Sequence, residues 1–338
     1  MKLFVLGNGF SIDLVKRMEK KNLISKNAID LVNLFSKGNC VTTAQGDKYL
    51  SMCQHLVGQG VSSELCDDEA KGLIDMFITS YNVYSKWRQN NSNISIRMHI
   101  GNSYFELYNE LLFYLKNLFI YYNNLVTDDA LRRLIRNNEM PFIGTLRKAM
   151  QNGEHVNIIT YNYDVFLERI LDIADISYSV YGIGDDKSYV TIYKPHGSIS
   201  FDTKQADYRL NIWEGLRLDI NQIVLAKVLN NDFRLCAIIP PYGDANHSMY
   251  NWARAIRKGI EEISISDYDE LCLFGISYGE IDRPEIDSIV LKAKERTLVR
   301  YINPKPSKQL CFVLKSLFDK YEQFGSINER NETYAGEL

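Results

Sequence analysis

From His155 to about residue 320 the chain alternates short apolar runs with amphipathic stretches, and that alternation constrains the fold more than any other feature. HVNIIT reads as a strand and YDVFLERILDIAD as a helix, with Phe166, Ile170 and Ile173 on one stripe and Glu168, Arg169 and Asp172 away from it. YVTIYKP is a strand stopped by Pro195, LCAIIPP another strand, SMYNWARAIRKGIEEI a helix and ELCLFGI a strand. The segment DRPEIDSIVLKAKE reads as a helix with Asp282 as N-cap, Pro284 in the first turn and Glu285 completing a capping box. TLVRYIN is the last predicted strand and PSKQLCFVLKSLFDKY the last helix. Strands alternating with helices argue for a parallel sheet, so the expected fold is α/β: a Rossmann-like parallel sheet flanked by helices.

The first half reads differently. Residues 2–6 form one more apolar strand, and residues 10–36 take a helical pattern in IDLVKRMEKK and NAIDLVNLF. Residues 37–63 are rich in Gly, Ser, Thr and Gln and read as loop. Segments 68–90 and 103–150 are long, amphipathic and tyrosine-rich, with no strand pattern. They predict a large helical insertion at about 64–150 within one domain spanning 1–325, followed by a flexible polar tail over 326–338.

At 338 residues, with 46% hydrophobic and 24% charged residues, the composition is that of a globular chain. A net charge of −3 gives no sign of direct nucleic-acid binding. Cys40, Cys53, Cys66, Cys236, Cys272 and Cys311 form no CxxC pair, which argues against a four-cysteine zinc site and fits a reducing cytoplasm. The first apolar run is too short for a signal peptide, and the longest, ELLFYLKNLFIYY, is broken by Lys116 and Asn117, so no membrane span is expected.

The chemistry-bearing groups sit where the predicted strands end. The first strand runs into Gly7-Asn8-Gly9-Phe10-Ser11. A glycine pair there lets backbone approach a diphosphate, and the helix that follows offers amide donors. Phe10 either covers a bound ribose or packs beneath the loop. The dehydrogenase fingerprint also needs an acidic residue ending a second strand about 20 residues on. That region, with Asp30, reads as helix, which disfavours hydride transfer. The strand HVNIIT ends in Thr160-Tyr161-Asn162-Tyr163-Asp164. Asn162 is a poor strand former with an amide that both donates and accepts, and Asp164 lies where a helix cap is common. YVTIYKP ends in His196-Gly197, a side chain suited to proton exchange beside a residue permitting close approach. His247 is the second choice; His55, His99 and His155 read as ordinary surface or core histidines. ELCLFGI ends in Gly275-Ile276-Ser277, and TLVRYIN ends in Asn303.

In that order these segments resemble the sirtuin-like NAD-binding family, and they look closest to its bacterial anti-phage branch. The matching positions are Gly7, Gly9 and Ser11; Asn162 and Asp164; His196 and Gly197; Gly275 and Ser277; and Asn303. The opening GNGF also resembles abortive-infection families related to this fold. The chain departs from deacylating sirtuins by lacking two zinc-binding CxxC pairs and their longer stretch after the first loop. The resemblance therefore implies NAD hydrolysis, not acyl-lysine recognition: NAD is the substrate and no cofactor or metal is required. It implies a diphosphate held by the 7–11 loop, the nicotinamide carboxamide bonded by Asp164, and ribose or water oriented by Asn162. His196 would serve as general base, and Thr160, Gly275, Ser277 and Asn303 would line the nucleotide. It further implies a cytoplasmic homo-oligomer, held off until a trigger or a partner ATPase or nuclease of a defence system arrives. The alternatives are a non-catalytic sensor of an NAD-derived nucleotide, a residual deacylase or ADP-ribosyl transferase, and an interaction scaffold.

Overall fold

A computed structural model describes residues 1–90, 98–184, 188–203, 218–226, 237–241, 250–264, 268–279 and 283–325. The chain begins with β1 (Lys2–Leu6) and α1 (Asn8–Lys20), then the helices α2 (Tyr49–Met52), α3 (Gln54–Gly58), α4 (Asp67–Asn90) and α5 (Met98–Leu125). It continues with α6 (Asp128–Arg136), α7 (Pro141–Gln151), β2 (Val156–Thr160), α8 (Phe166–Ile173), β3 (Tyr178–Val180) and β4 (Val190–Tyr193). After β5 (Phe201–Thr203) and β6 (Ile223–Leu225) come α9 (Asn251–Ser264), β7 (Glu270–Phe274), α10 (Arg283–Val290), β8 (Leu298–Ile302), α11 (Lys308–Leu317) and β9 (Lys320–Phe324).

These elements divide into two compact units. The first comprises Met1–Lys26, Val126–Pro195 and the chain from Ala253 on. Its centre is a seven-stranded parallel sheet in the order β3-β4-β2-β1-β7-β8-β9. The α/β expectation is met: helices and strands alternate, and β1, β2, β4 and β7 are buried along nearly their whole length. Strands covered on both faces read as continuous apolar runs, which is why they were visible in the sequence. Local chemistry sets several helix starts. Thr127 accepts the Ala130 amide before α6, Pro141 opens α7, and Ser307 accepts the Leu310 amide before α11.

The sheet aligns the strand ends that carried the sequence motifs. Leu6 lies opposite Thr160 on one side and Phe274 on the other, and Phe274 lies opposite Ile302. Ile159 pairs with Tyr193 in turn. The residues that follow, Gly7, Tyr161, Gly275 and Asn303, therefore form one row along the carboxyl edge, and Lys194 lies one position before it, level with Thr160. The strand order reverses at β1, between β2 on one side and β7 on the other. Such a reversal point is the usual ligand crevice of an open parallel sheet.

The second unit comprises Asn27–Leu125 and His196–Trp252. The helical insertion thus starts near residue 27, ends at residue 125 and is completed by a second segment, while α6 and α7 belong with the sheet. In the α4–α5 pair, Tyr81 stacks on Tyr108 with centroids 4.0 Å apart, and the Tyr108 hydroxyl lies 3.1 Å from that of Tyr250. β5 and β6 form a small antiparallel pair.

Four expectations change. NAIDLVNLF is a run of turns, because Asp30 Oδ1 accepts the Val32 and Asn33 amides and Asn33 Oδ1 accepts that of Phe35. Such side-chain acceptors compete with the helix ladder. Residues 37–63 are not all loop, since α2 and α3 lie there. Of LCAIIPP, the described residues make only an isolated bridge between Ile238 and Gly197. TLVRYIN is not the last strand: β9 follows α11, paired to β8 at the sheet margin. Asp282, His247, Cys236 and the tail over 326–338 lie outside the described residues.

Candidate functional site

Gly7 is the residue before α1, in extended conformation and without a side-chain cap. Its amide donates to Phe274 O at 3.0 Å, and the Gly9 amide donates to Gly275 O at 3.0 Å. A Cβ on Gly7 would lie 2.6 Å from Gly275 O, and one on Gly9 would lie 2.5 Å from Gly275 Cα. Gly275 itself has φ +64. The three glycines thus let the loops after β1 and β7 cross backbone to backbone. The Phe10 amide bonds to Gly7 O at 3.0 Å. The amides of Gly7, Gly9 and Phe10 are therefore bonded within the protein, and Asn8 is the exposed tip of the loop. The Phe10 ring is buried edge-on against Phe142 and Phe274, so it packs beneath the loop and not over a ribose.

Ser11, one residue further into α1, has no exposed surface. Its hydroxyl donates to Asp164 Oδ2 at 2.7 Å and accepts from Asn162 Nδ2 at 3.0 Å. Asn162 Nδ2 also donates to Gly7 O at 3.1 Å. The amide orientation follows from chemistry. Gly7 O can only accept, and Ser11 has already given its one proton to the carboxylate, so both demand the amide nitrogen. That clamp fixes the Asn162 oxygen on the opposite edge, where it accepts no hydrogen bond among the described residues. Asp164 is 4% exposed; its second oxygen accepts the Phe166 amide at 3.1 Å, inside the turn that opens α8. The Asn162 amide donates to Thr160 Oγ1 at 3.3 Å. Two separate strand-end motifs, after β1 and after β2, thus converge on one buried hydrogen-bonded set.

Burial pushes the Asp164 carboxyl above the ordinary carboxylate range. The Lys194 charge, the Ser11 hydroxyl and the Phe166 amide oppose that rise, and Glu168 adds to it. Lys194, at the end of β4, was not singled out by the sequence reading. It is 1% exposed, and its ammonium donates to Asp164 O and to Glu168 Oε1, each at 2.7 Å. Glu168 is consequently buried, against the expectation that it faces away from the apolar stripe.

The remaining expected residues are distributed as follows. Ser277 is exposed on the loop after β7. Asn303 donates to Ile276 O at 2.9 Å and accepts the Lys305 amide at 2.9 Å, tying the end of β8 to the loop that holds Gly275. His196 belongs to the second unit; it is half-buried, and its carbonyl accepts the Ile239 amide at 2.9 Å. Gly197, at φ +77, permits close approach as expected, though to its own chain: a Cβ there would meet the Ala237 carbonyl. His55 pairs with Glu110 and His155 lies against Thr191, as structural histidines do.

Among the described residues, no group of three or more His, Cys, Asp or Glu side chains is arranged to hold a metal ion, and no helix is long and apolar enough to cross a membrane. No known protein-family model matches the chain, and no curated protein matches its sequence.

Proposed function

We propose that this chain is an NAD glycohydrolase whose sheet unit carries the ribose-facing chemistry. The observation that carries the reading is the clamped Asn162 amide at the carboxyl edge, beside the point where strand order reverses. An acceptor edge held by two donor bonds suits a ribose hydroxyl or an attacking water. In the reaction, the bond between ribose C1′ and the nicotinamide ring nitrogen breaks. Nicotinamide leaves as a neutral pyridine and takes the bonding electrons. Water adds at C1′ and releases a proton. The leaving group needs no acid, so the work lies in orienting water and supporting a cationic ribose. The base role given to His196 by motif order belongs to the same proposal, as do release of this activity by a trigger or partner and its use in anti-phage defence.

The second reading is a sensor that binds an NAD-derived nucleotide without turnover. It needs the same nucleotide contacts, and the amides of Gly7, Gly9 and Phe10, all bonded within the protein, weigh equally on both readings. Incubation of the purified protein with NAD, followed by chromatography of nicotinamide and ADP-ribose, separates the two. Turnover is expected, and Asn162→Ala is expected to lower kcat by about 10²–10⁴, the range for loss of one positioned group. Wild-type turnover by Asn162→Ala would remove Asn162 from the mechanism, and binding without products would favour the sensor.

A further inference from the structure

We propose that Lys194 is a positioning residue of this site: acting through Asp164, it sets the hydrogen-bond direction of Ser11 and hence which edge of Asn162 is presented to substrate. The inference rests on the reading of Asn162 as the substrate-facing group, and it adds a control that the motif order did not contain.

The geometry is a relay across four elements. Lys194, directly after β4, donates to the Asp164 carbonyl and to Glu168 on α8. Asp164 accepts from Ser11 on α1, and Ser11 accepts from Asn162 after β2. Asp164, Glu168 and Lys194 are all buried, at 4%, 6% and 1% exposure. Glu168 Oε2 is buried and has no hydrogen-bond partner. The ammonium thus bonds the Glu168 carboxylate and acts on the Asp164 carboxyl through space, and the fully ionised set of three carries one surplus negative charge inside the protein. Such a set is poised to bind a proton.

The charge state of Asp164 decides the relay. As a carboxylate it accepts on both oxygens, from Ser11 and from the Phe166 amide. Ser11 then accepts from Asn162, and the amide is clamped as described. As a neutral acid, Asp164 donates through Oδ2, and the Ser11 proton loses its acceptor. Ser11 then has its own proton to place where Asn162 had been donating, and the clamp on the amide weakens. The groups acting on the Asp164 carboxyl from the packed elements are Ser11 of α1, the Phe166 amide and Glu168 of α8, and Lys194 directly after β4. Lys194 is the only cation in that set. It favours the carboxylate, and Glu168 favours the acid.

The opposed signs make the test. The ¹³C resonance of the Asp164 carboxyl, assigned by its loss in Asp164→Asn, is titrated in wild type, Lys194→Gln and Glu168→Gln. Lys194→Gln is expected to raise the Asp164 midpoint and Glu168→Gln to lower it, each by about one pH unit or more. A role confined to packing would not move the midpoint in opposite directions. Unmoved midpoints, or shifts of the same sign, overturn the proposal. Should Lys194→Gln fail to fold, Glu168→Gln decides alone, because it keeps the shape and the acceptor for Lys194; no downward shift then refutes the relay. The titration needs no turnover, so failure of the NAD reading appears only in the product assay.

Discussion

Ser11→Ala removes one oxygen from a site with no exposed surface, and its cost can be worked out bond by bond. The lost bond to Asp164 is a bond to a charged group, about 1.5–3 kcal/mol, and the lost bond from Asn162 is a neutral one, about 1 kcal/mol. Asn162 keeps its second acceptor, Gly7 O, so its nitrogen is not orphaned. Alanine regains about 0.5 kcal/mol as the better helix former. The expected net loss is roughly 2–3.5 kcal/mol, a large share of the 5–15 kcal/mol available to a typical fold. The loss also depends on pH. The folded Asp164 carboxyl is already raised, so its contribution to stability is complete below the unfolded value and falls as pH rises through the folded value. Ser11 opposes that rise, and its removal lifts the folded value further. The penalty of Ser11→Ala should therefore be larger at pH 8 than at pH 5. Urea unfolding at the two pH values measures it. Combining Ser11→Ala with Asp164→Asn should give a coupling energy of about 0.5–3 kcal/mol, as contacting residues do. A penalty that is the same at both pH values, together with additive single effects, would refute the buried Ser11–Asp164 bond.

Gly275→Ala should lower stability by roughly 2–5 kcal/mol, because it combines a left-handed backbone position with a Cβ placed 2.5 Å from the Gly9 backbone. Gly279→Ala, whose Cβ meets nothing within 4 Å, should leave the melting temperature nearly unchanged, and equal melting temperatures for the two would contradict the loop crossing. Burial and the Glu110 charge push the Cys53 thiol up to about 12. Iodoacetamide at pH 8 should therefore alkylate the exposed Cys40 and Cys66 and spare Cys53, as read by peptide mass spectrometry; labelling of Cys53 as fast as Cys66 in folded protein would contradict its burial.

The strands that build the row at the carboxyl edge were legible because each is an apolar run ending at Gly, Asn or Pro, the residues that stop a strand. β9 was not. KYEQF pairs on one side only and alternates charge with half-buried side chains, so it carries no apolar signature and merged with α11. Asp30 and Asn33 broke a pattern that periodicity alone made helical, because hydrogen bonding to one's own backbone leaves no trace in hydrophobic spacing. Within the site, Asn162 and Asp164 were legible from their place after a strand. Lys194 and Glu168 were not, since a charged residue in an α/β segment normally reads as solvent-facing. The one available signal was a lysine closing an otherwise apolar strand, directly before Pro-His-Gly. Phe10 illustrates a different limit: an aromatic in a glycine loop can face either way, and Phe142 and Phe274, both far along the chain, decide it.

The central place of β1 has a consequence for how the chain is assembled. Its hydrogen-bonding edges are completed by β2, starting at Val156, and by β7, starting at Glu270. At ribosomal rates of about 5–20 residues per second, β1 waits on the order of ten seconds or more for its first neighbour and longer for its second. During that time a strand destined for the centre of the sheet has both edges open. Meanwhile much of the helical unit is synthesised, and its α4–α5 pair closes over short sequence distances. The order of synthesis therefore runs against the order of burial, and the sheet closes only when the last third of the chain returns to its first strand.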